Sequence, residues 1–228
     1  MSVAFTWLGH SAFQLEVDGH IALIDPFLTG NPLAAAKAED LNPEVILVSH
    51  AHGDHVGDTV EIAKRSGATV VCNFEMGNWF IKQGVENVFQ GNPGGTYQGS
   101  FLSAKWLIAH HSSSFPDGTY GGQPNGFLIQ VRGKKLYFAG DTALFLDMKL
   151  LAEENIDVAF LPIGDTFTMG PEDSLRAIDF IRPRHVVPMH YNTFPPIVQN
   201  TAQWAKDVHA QTLATPIVLD PGGKHILE

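Results

Sequence analysis

Cysteine is almost missing from this sequence: Cys72 is the single one in 228 residues, so no intramolecular disulfide can form. Its setting, Ala68-Thr69-Val70-Val71-Cys72, is apolar and strand-like, which predicts a buried packing residue rather than a reactive thiol. Basic charge is scarce as well, with 14 Lys and Arg against 24 Asp and Glu and a formal net charge of −10. Those basic residues are scattered rather than striped, which argues against a DNA or RNA surface. Long apolar runs are missing: nothing approaches the roughly 18 residues of a membrane span. Met1 to His10 lack a basic segment leading into an apolar one, so a cytoplasmic protein with no membrane association is expected. There is no Gly-x-Ser-x-Gly elbow for a serine nucleophile. The Gly-rich segment 91–99 lacks the Gly-Lys-Ser/Thr ending of a phosphate loop and reads as a turn.

What is present is enough to fold. Hydrophobic residues make up 44% of the chain, and neither a repeat nor a low-complexity linker divides it, so one domain over 1–228 is expected. Alternating and apolar runs predict strands at 3–7, 12–17, 20–24, 45–49, 69–72, 104–109, 127–132, 135–139, 158–161, 185–188 and 217–219, with a short last one near 225–227. Helical spacing is clearest at 58–66, which stops at Gly67, at 75–83 before Gly84, and at 143–154. Two more helices follow at 172–181, with Pro171 in the first turn, and at 202–210, with Thr201 as N-cap. Eleven or twelve strands with about five helices predict an α/β protein in which two sheets pack face to face with helices outside.

Several of these apolar runs end in a histidine or an aspartate. Residues 45–49 run into His50, 106–109 into the doublet His110-His111, 136–140 into Asp141, and 186–189 into His190. If neighbouring strands point the same way, their carboxyl ends share one rim, which is where open α/β sheets bind ligands. The densest end is His50-Ala51-His52-Gly53-Asp54-His55, four ligand-type residues within six positions. In an extended segment the side chains of His50 and His52 project to one face, so both can grip one ion. Gly53 permits a tight turn, after which Asp54 and His55 can face a second ion. Imidazole plus carboxylate without thiolate suits a hydrolytic Zn-type site.

These residues carry a resemblance. His50-x-His52-x-Asp54-His55, then a strand-end His, Gly140-Asp141-Thr142 and the late His190, resembles the metallo-β-lactamase superfamily over essentially the whole chain. Gly9-His10-Ser11, the run Asp25 to Pro32, His111-Ser112-Ser113, Pro162-Ile163-Gly164-Asp165, Met169 to Asp173 and Pro188 to Pro195 (which includes Asn192) resemble its short metal-dependent hydrolases, related to the ascorbate-6-phosphate lactonases. The fold implied is the αββα sandwich, with two mixed sheets between outer helices. The implied first ion is held by His50, His52 and His111 and the second by Asp54, His55 and His190, with Asp141 bridging ions about 3.5–4 Å apart. In that pattern the ligand directly precedes Ser-Ser, hence His111 and not His110.

His10, Asp25, Asp165 and Asn192 are candidates for supporting the ligands or meeting substrate. Asp25 ends the run 21–24 and is placed either to orient a ligand histidine or simply to turn the chain before Pro26. The cofactor expected is a pair of divalent ions, Zn2+ first, with Mn2+, Fe2+ or Ni2+ open. Two cations bring the pKa of a shared water toward neutrality, which makes hydroxide the expected nucleophile and Asp54 the expected proton relay. The reaction expected is hydrolysis of a small ester, lactone or phosphorylated substrate, with an anionic small molecule compatible. Phosphodiester cleavage in nucleotides or RNA is the alternative, and an iron-dependent redox enzyme the further one. Di-iron relatives carry Glu where this chain has His52, which disfavours the last. Phe115, Tyr120, Phe167, Met169 and Phe194 are candidate pocket walls, and association into a homo-oligomer is an expectation from the resemblance alone.

Overall fold

A computed structural model describes residues 2–227. The first half opens as an antiparallel meander of β1 (Val3–Gly9), β2 (Ala12–Val17) and β3 (His20–Ile24), and then adds β4 (Val45–Leu47), β5 (Thr69–Asn73) and β6 (Val88–Gly91) in parallel. The second half repeats that plan. An antiparallel run of β7 (Thr96–Gln98), β8 (Ser103–Ile108), β9 (Asn125–Val131) and β10 (Lys134–Phe138) is extended in parallel by β11 (Val158–Pro162), β12 (His185–Met189) and β13 (Thr215–Pro216). The last strand, β14 (Lys224–Leu227), returns to pair antiparallel with β1. Two mixed sheets of seven strands result, each with three antiparallel pairings followed by three parallel ones. The matched topology has no counterpart in a sequence repeat.

Strand direction is what builds the site. β1, β3 and β4 run the same way in one sheet, and β8, β10, β11 and β12 run the same way in the other. The ligand-type residues that follow these strands therefore leave from carboxyl ends along one rim.

The inner parallel strands β4, β5, β11 and β12 are buried on both faces, which accounts for their apolar runs. Val45 and Leu47 of β4 point into the core between the sheets, whereas Ile46 joins Val70 and Cys72 on the outer face. Between the sheets Phe160 meets Phe5 edge-on at 5.0 Å and Phe13 at 4.7 Å, so aromatic packing crosses the interface. Outside the first sheet lie α1 (Gly53–Val56), α2 (Thr59–Ser66) and α3 (Phe74–Lys82), with Ile62, Met76 and Phe80 packed on Val70 and Cys72. α2 ends at Gly67, whose φ of 74° takes the left-handed cap. Asn73 caps α3 by accepting from the Met76 amide. Over the second sheet lie α4 (Pro171–Ile181) and α5 (Thr201–Gln211), joined where Trp204 Nε1 donates to Ser174 Oγ at 2.8 Å.

Four elements differ from expectation. The segment 143–154 is not an α-helix but 3₁₀ turns over Leu146–Glu154, because only Met148 and Leu151 find burial there. The strand expected at 217–219 lies instead at Thr215–Pro216, where Thr215 and Pro216 pair with β12. The segment 91–99 is not a simple turn: β6 ends in it at Gly91 and β7 lies within it, and their short lengths hid them. Asn200, one residue before Thr201, caps α5 by accepting from the Gln203 amide. Cys72 is fully buried in β5, and burial pushes its thiol pKa up. No helix among the described residues is long and apolar enough to cross a membrane.

Candidate metal centre

Several rim residues have left-handed backbone. His10 after β1, Asp25 after β3, Asp165 after β11 and His190 after β12 have φ of 55°, 44°, 62° and 57°. Such conformations cost about 1–3 kcal/mol each and are held where the surrounding structure over-determines them. After β10 the same hook is made by Gly140, φ 63°, where a Cβ would lie 2.6 Å from Asn125 O. Next along, Asp141 faces the centre.

After β4 the chain bends at Ala51 and His52 and then enters α1. Here His50 Nε2 comes to 2.9 Å from His52 Nδ1. The helical turn swings Asp54 and His55 to a different side. The ligand-capable atoms fall into overlapping groups, His50/His52/His111, His50/His55/Asp141 and His10/Asp54/His55/His190, each with its atoms within 4.8 Å of one another.

Asp141 sits among them. Its Oδ2 lies 4.0 Å from His50 Nε2, 3.6 Å from His111 Nε2, 3.3 Å from His55 Nε2 and 2.9 Å from His190 Nε2. Its Oδ1 is buried with no hydrogen-bond partner, and so are His55 Nε2, His10 Nε2 and His190 Nδ1. Buried polar atoms are ordinarily paired, and the unpaired His55 Nε2 and His10 Nε2, which belong to the metal-capable groups, fit a site for cations.

Asp25 supports two of these histidines. Its Oδ2 lies 2.7 Å from His55 Nδ1 and accepts from Ser49 Oγ at 2.6 Å, while its Oδ1 accepts from the Ser49 amide at 2.7 Å. Ser49 Oγ in turn lies 3.0 Å from His50 Nδ1, so one buried carboxylate fixes the rings of both His55 and His50. Ser49 was not singled out in the sequence, where it is merely the small residue before His50. Asp58 also escaped notice: instead of capping α2 it accepts from the Leu28 and Thr29 amides, each at 2.9 Å, and holds the loop after Asp25.

The doublet is resolved by Thr142, whose Oγ1 accepts from the His110 amide at 3.0 Å. His110 is exposed against Phe145, at 4.8 Å between ring centroids, and His111 turns in. His10, which sequence reasoning placed no deeper than the rim, is completely buried. Asp165 is exposed and its carboxylate accepts from the Thr166 amide, while Asn192, also exposed, accepts from the Gln199 amide. Neither belongs to the metal-capable groups. Of the expected pocket walls, Phe194 lies against His10 at 5.7 Å, Phe115 and Met169 are core residues, and Tyr120 and Phe167 are exposed.

Electrostatics prepare these groups as ligands. Burial, followed by the neighbouring His55 charge, holds His50 well below the usual imidazole range, and burial likewise lowers His52 and His111. His10 is lowered by burial to about 4. Burial would raise the carboxyl pKa of Asp141, but the charges of His190 and His55 hold it well below the usual value. Burial opposes ionisation of Asp54 too, and the His10 contact overcomes it and lowers the pKa. His55 is the exception: burial would lower it, yet Asp141 and Asp25 raise it well above 6.5. Neutral imidazoles beside ionised carboxylates are the protonation states that bind divalent ions. The centre opens to solvent where Asp54 is 30% and His111 13% exposed, whereas Asp141 is 3% exposed.

Two mixed sheets between helices, with imidazoles and carboxylates gathered on one rim, define a metallo-β-lactamase fold. A profile of the β-lactamase superfamily domain matches residues 4–190. The chain belongs to that superfamily and is a metal-dependent hydrolase of it. It is 52% identical over 206 residues to a UPF0173 metal-dependent hydrolase of Thermus thermophilus, covering 90% of each chain. Its structure is similar to that of Igni18, a metallo hydrolase from the hyperthermophilic archaeon Ignicoccus hospitalis, with a TM-score of 0.90, 38% identity, and 100% and 99% of the two chains covered. The metallo-β-lactamase fold protein YhfI of Bacillus subtilis shares the fold at a TM-score of 0.77 and 13% identity, with 100% of both chains covered.

Proposed function

We propose that the protein holds two divalent cations, Zn2+ first among the candidates, and hydrolyses a small ester, lactone or phosphorylated substrate. His50, His52 and His111 would hold one ion and Asp54, His55 and His190 the other, with Asp141 between them. One observation carries the reading: Asp141 Oδ2 is approached within 4.0 Å by an imidazole pair from each group, His50 with His111 and His55 with His190. That is the placement a bridging carboxylate needs.

When bound, the ions supply positive charge that acidifies water and polarises a carbonyl or phosphoryl oxygen. Everything else falls to the chain. Asp25 and Ser49 keep the rings of His55 and His50 aimed. Asp54, ionised and on the open side, is placed to take the proton of an attacking water and deliver it to the leaving group. Substrate would enter past His52, Asp54 and His111. Two cations there make a locally positive site in a chain of net charge −10, so a small anionic substrate is compatible.

Metal analysis of the purified protein, followed by hydrolysis assays on lactone, ester, phosphodiester and β-lactam panels, tests the reading. Two ions per chain and turnover of lactones or esters are expected. A single ion per chain, or turnover confined to phosphodiesters, would overturn the two-ion or the substrate part respectively.

A further inference from the structure

His10 holds a position that neither packing nor the ligand set above accounts for. It closes β1 with a left-handed backbone, and its carbonyl accepts from Trp7 Nε1 at 2.9 Å and from the His190 amide at 3.1 Å. The ring is enclosed by His190 at 4.2 Å, His55 at 5.7 Å, Phe194 at 5.7 Å and Phe27 at 5.8 Å between centroids. It has no room to turn away.

The two ring nitrogens have different neighbours. Nδ1 lies 2.8 Å from Thr193 Oγ1, and the Thr193 hydroxyl donates to Tyr191 O at 3.3 Å. That hydroxyl can accept from His10 Nδ1–H, which leaves the Nε2 lone pair free to bind an ion. Nε2 is buried with no hydrogen-bond partner among the described residues, 3.3 Å from Asp54 Oδ2 and within 4.8 Å of the ligand-capable atoms of His55 and His190. A buried ring nitrogen left unpaired is unfavourable, and a cation shared with the Asp54 carboxylate would satisfy it. The spacing agrees: ligand atoms about 2.1 Å from a common ion lie about 3.0–3.4 Å apart.

We propose that His10 Nε2 ligates the same ion as Asp54, His55 and His190, an inference that rests on the two-ion reading. This ion then has four protein ligands besides Asp141, whereas the His50/His52/His111 ion has three. The two sites are thus unequal. The first ion keeps a position free for water and substrate, and the His10 ion is more fully coordinated and held more tightly, which favours a metal tolerant of five or six ligands.

A Co2+ titration of the metal-free protein and of His10→Gln, followed by visible absorption and calorimetry, tests this. For the wild type two unequal equivalents are expected. In His10→Gln one of them should weaken by about tenfold to a hundredfold or more while the other holds, and the cobalt absorption should intensify as coordination number falls. Unchanged affinities together with an unchanged spectrum would remove His10 from the ligand set. A wild-type titration that stops at one equivalent overturns the two-ion reading instead, and the His10 assignment then stands or falls on whether His10→Gln weakens that single ion. If His10→Gln does not fold, a crystal structure of the metal-loaded wild type decides. Nε2 within about 2.3 Å of an ion supports the assignment, and a separation beyond about 3 Å overturns it.

Discussion

At the scale of single residues, one carboxylate oxygen stands among four imidazole nitrogens, and removing its charge should release what they hold together. Asp141→Asn is expected to lower metal content and activity in parallel, checked by metal analysis beside a rate assay; full activity in the variant would show that Asp141 does not bridge. His111→Ala should be far more damaging than His110→Ala, because His111 Nε2 lies 3.6 Å from Asp141 Oδ2 whereas His110 is exposed. Equal losses would contradict that register. Titration offers a third check, on the metal-free protein. His10, His50, His52 and His111 bind a proton near pH 6.5 when unfolded but only at lower pH when folded. The unfolded state therefore holds more protons as the solution is acidified below 6.5, and stability falls. Asp25, raised by burial, takes up a proton in the fold at the acid end and offsets one of the four. His55 has the opposite sign: its stabilisation is complete below 6.5 and is lost as pH rises through its raised folded value. Urea midpoints measured from pH 8 to pH 4 should fall on the acid side of about 6.5, by up to about 1.4 kcal/mol per pH unit for each excess proton. A flat acid limb would mean that these imidazoles are not desolvated.

At the scale of elements, a bend after the strand end and one helical turn divide His50 and His52 from Asp54 and His55. The turn is held in place by Gly57, whose φ of 42° brings it against the Pro26 and Phe27 backbone. A methyl group there would collide with Pro26 O and Phe27 Cα, next to Asp25. Gly57→Ala is expected to cost at least about 1–3 kcal/mol and to loosen the Asp25–His55 pair; unfolding by urea, with the His55 ring followed by NMR, measures both. Most elements were readable because their apolar residues repeat at strand or helix spacing. The 3₁₀ segment Leu146–Glu154 was not, since its composition suits an α-helix and only its shallow contact with the core sets the tighter turn. Nor were β6 and β7, whose few residues bury little and owe their conformation to neighbouring strands.

At the scale of the whole molecule, the candidate ligands come from both sheets, so bound ions would fasten one sheet to the other. Two backbone hydrogen bonds already span the rim, from the His190 amide to His10 O at 3.1 Å and from the Asn125 amide to Ser49 O at 3.0 Å. Chelation should therefore lower the unfolding temperature and speed amide exchange at the rim before the outer helices loosen. An ion present at a thousand times its dissociation constant adds about 4 kcal/mol to stability, which differential scanning calorimetry with and without chelator would detect. An unfolding temperature indifferent to chelator would argue that the centre does not tie the sheets.

The amino-acid order alone carried the chemistry of the centre, because its densest part is local: His50, His52, Asp54 and His55 share six positions, and the other ligand-type residues end apolar strands. What waited for the tertiary structure was everything set by which strands lie side by side. The Asp25–Ser49–His50 relay joins β3 to β4 across 24 residues. The burial of His10 against Thr193 joins residues 183 apart. Asp165 and Asn192 are exposed, and their side-chain oxygens accept from the Thr166 and Gln199 amides. Hydrophobic spacing sets the strands, but it does not encode the angle at which a strand end hooks. That angle belongs to the contacts the neighbouring chain imposes.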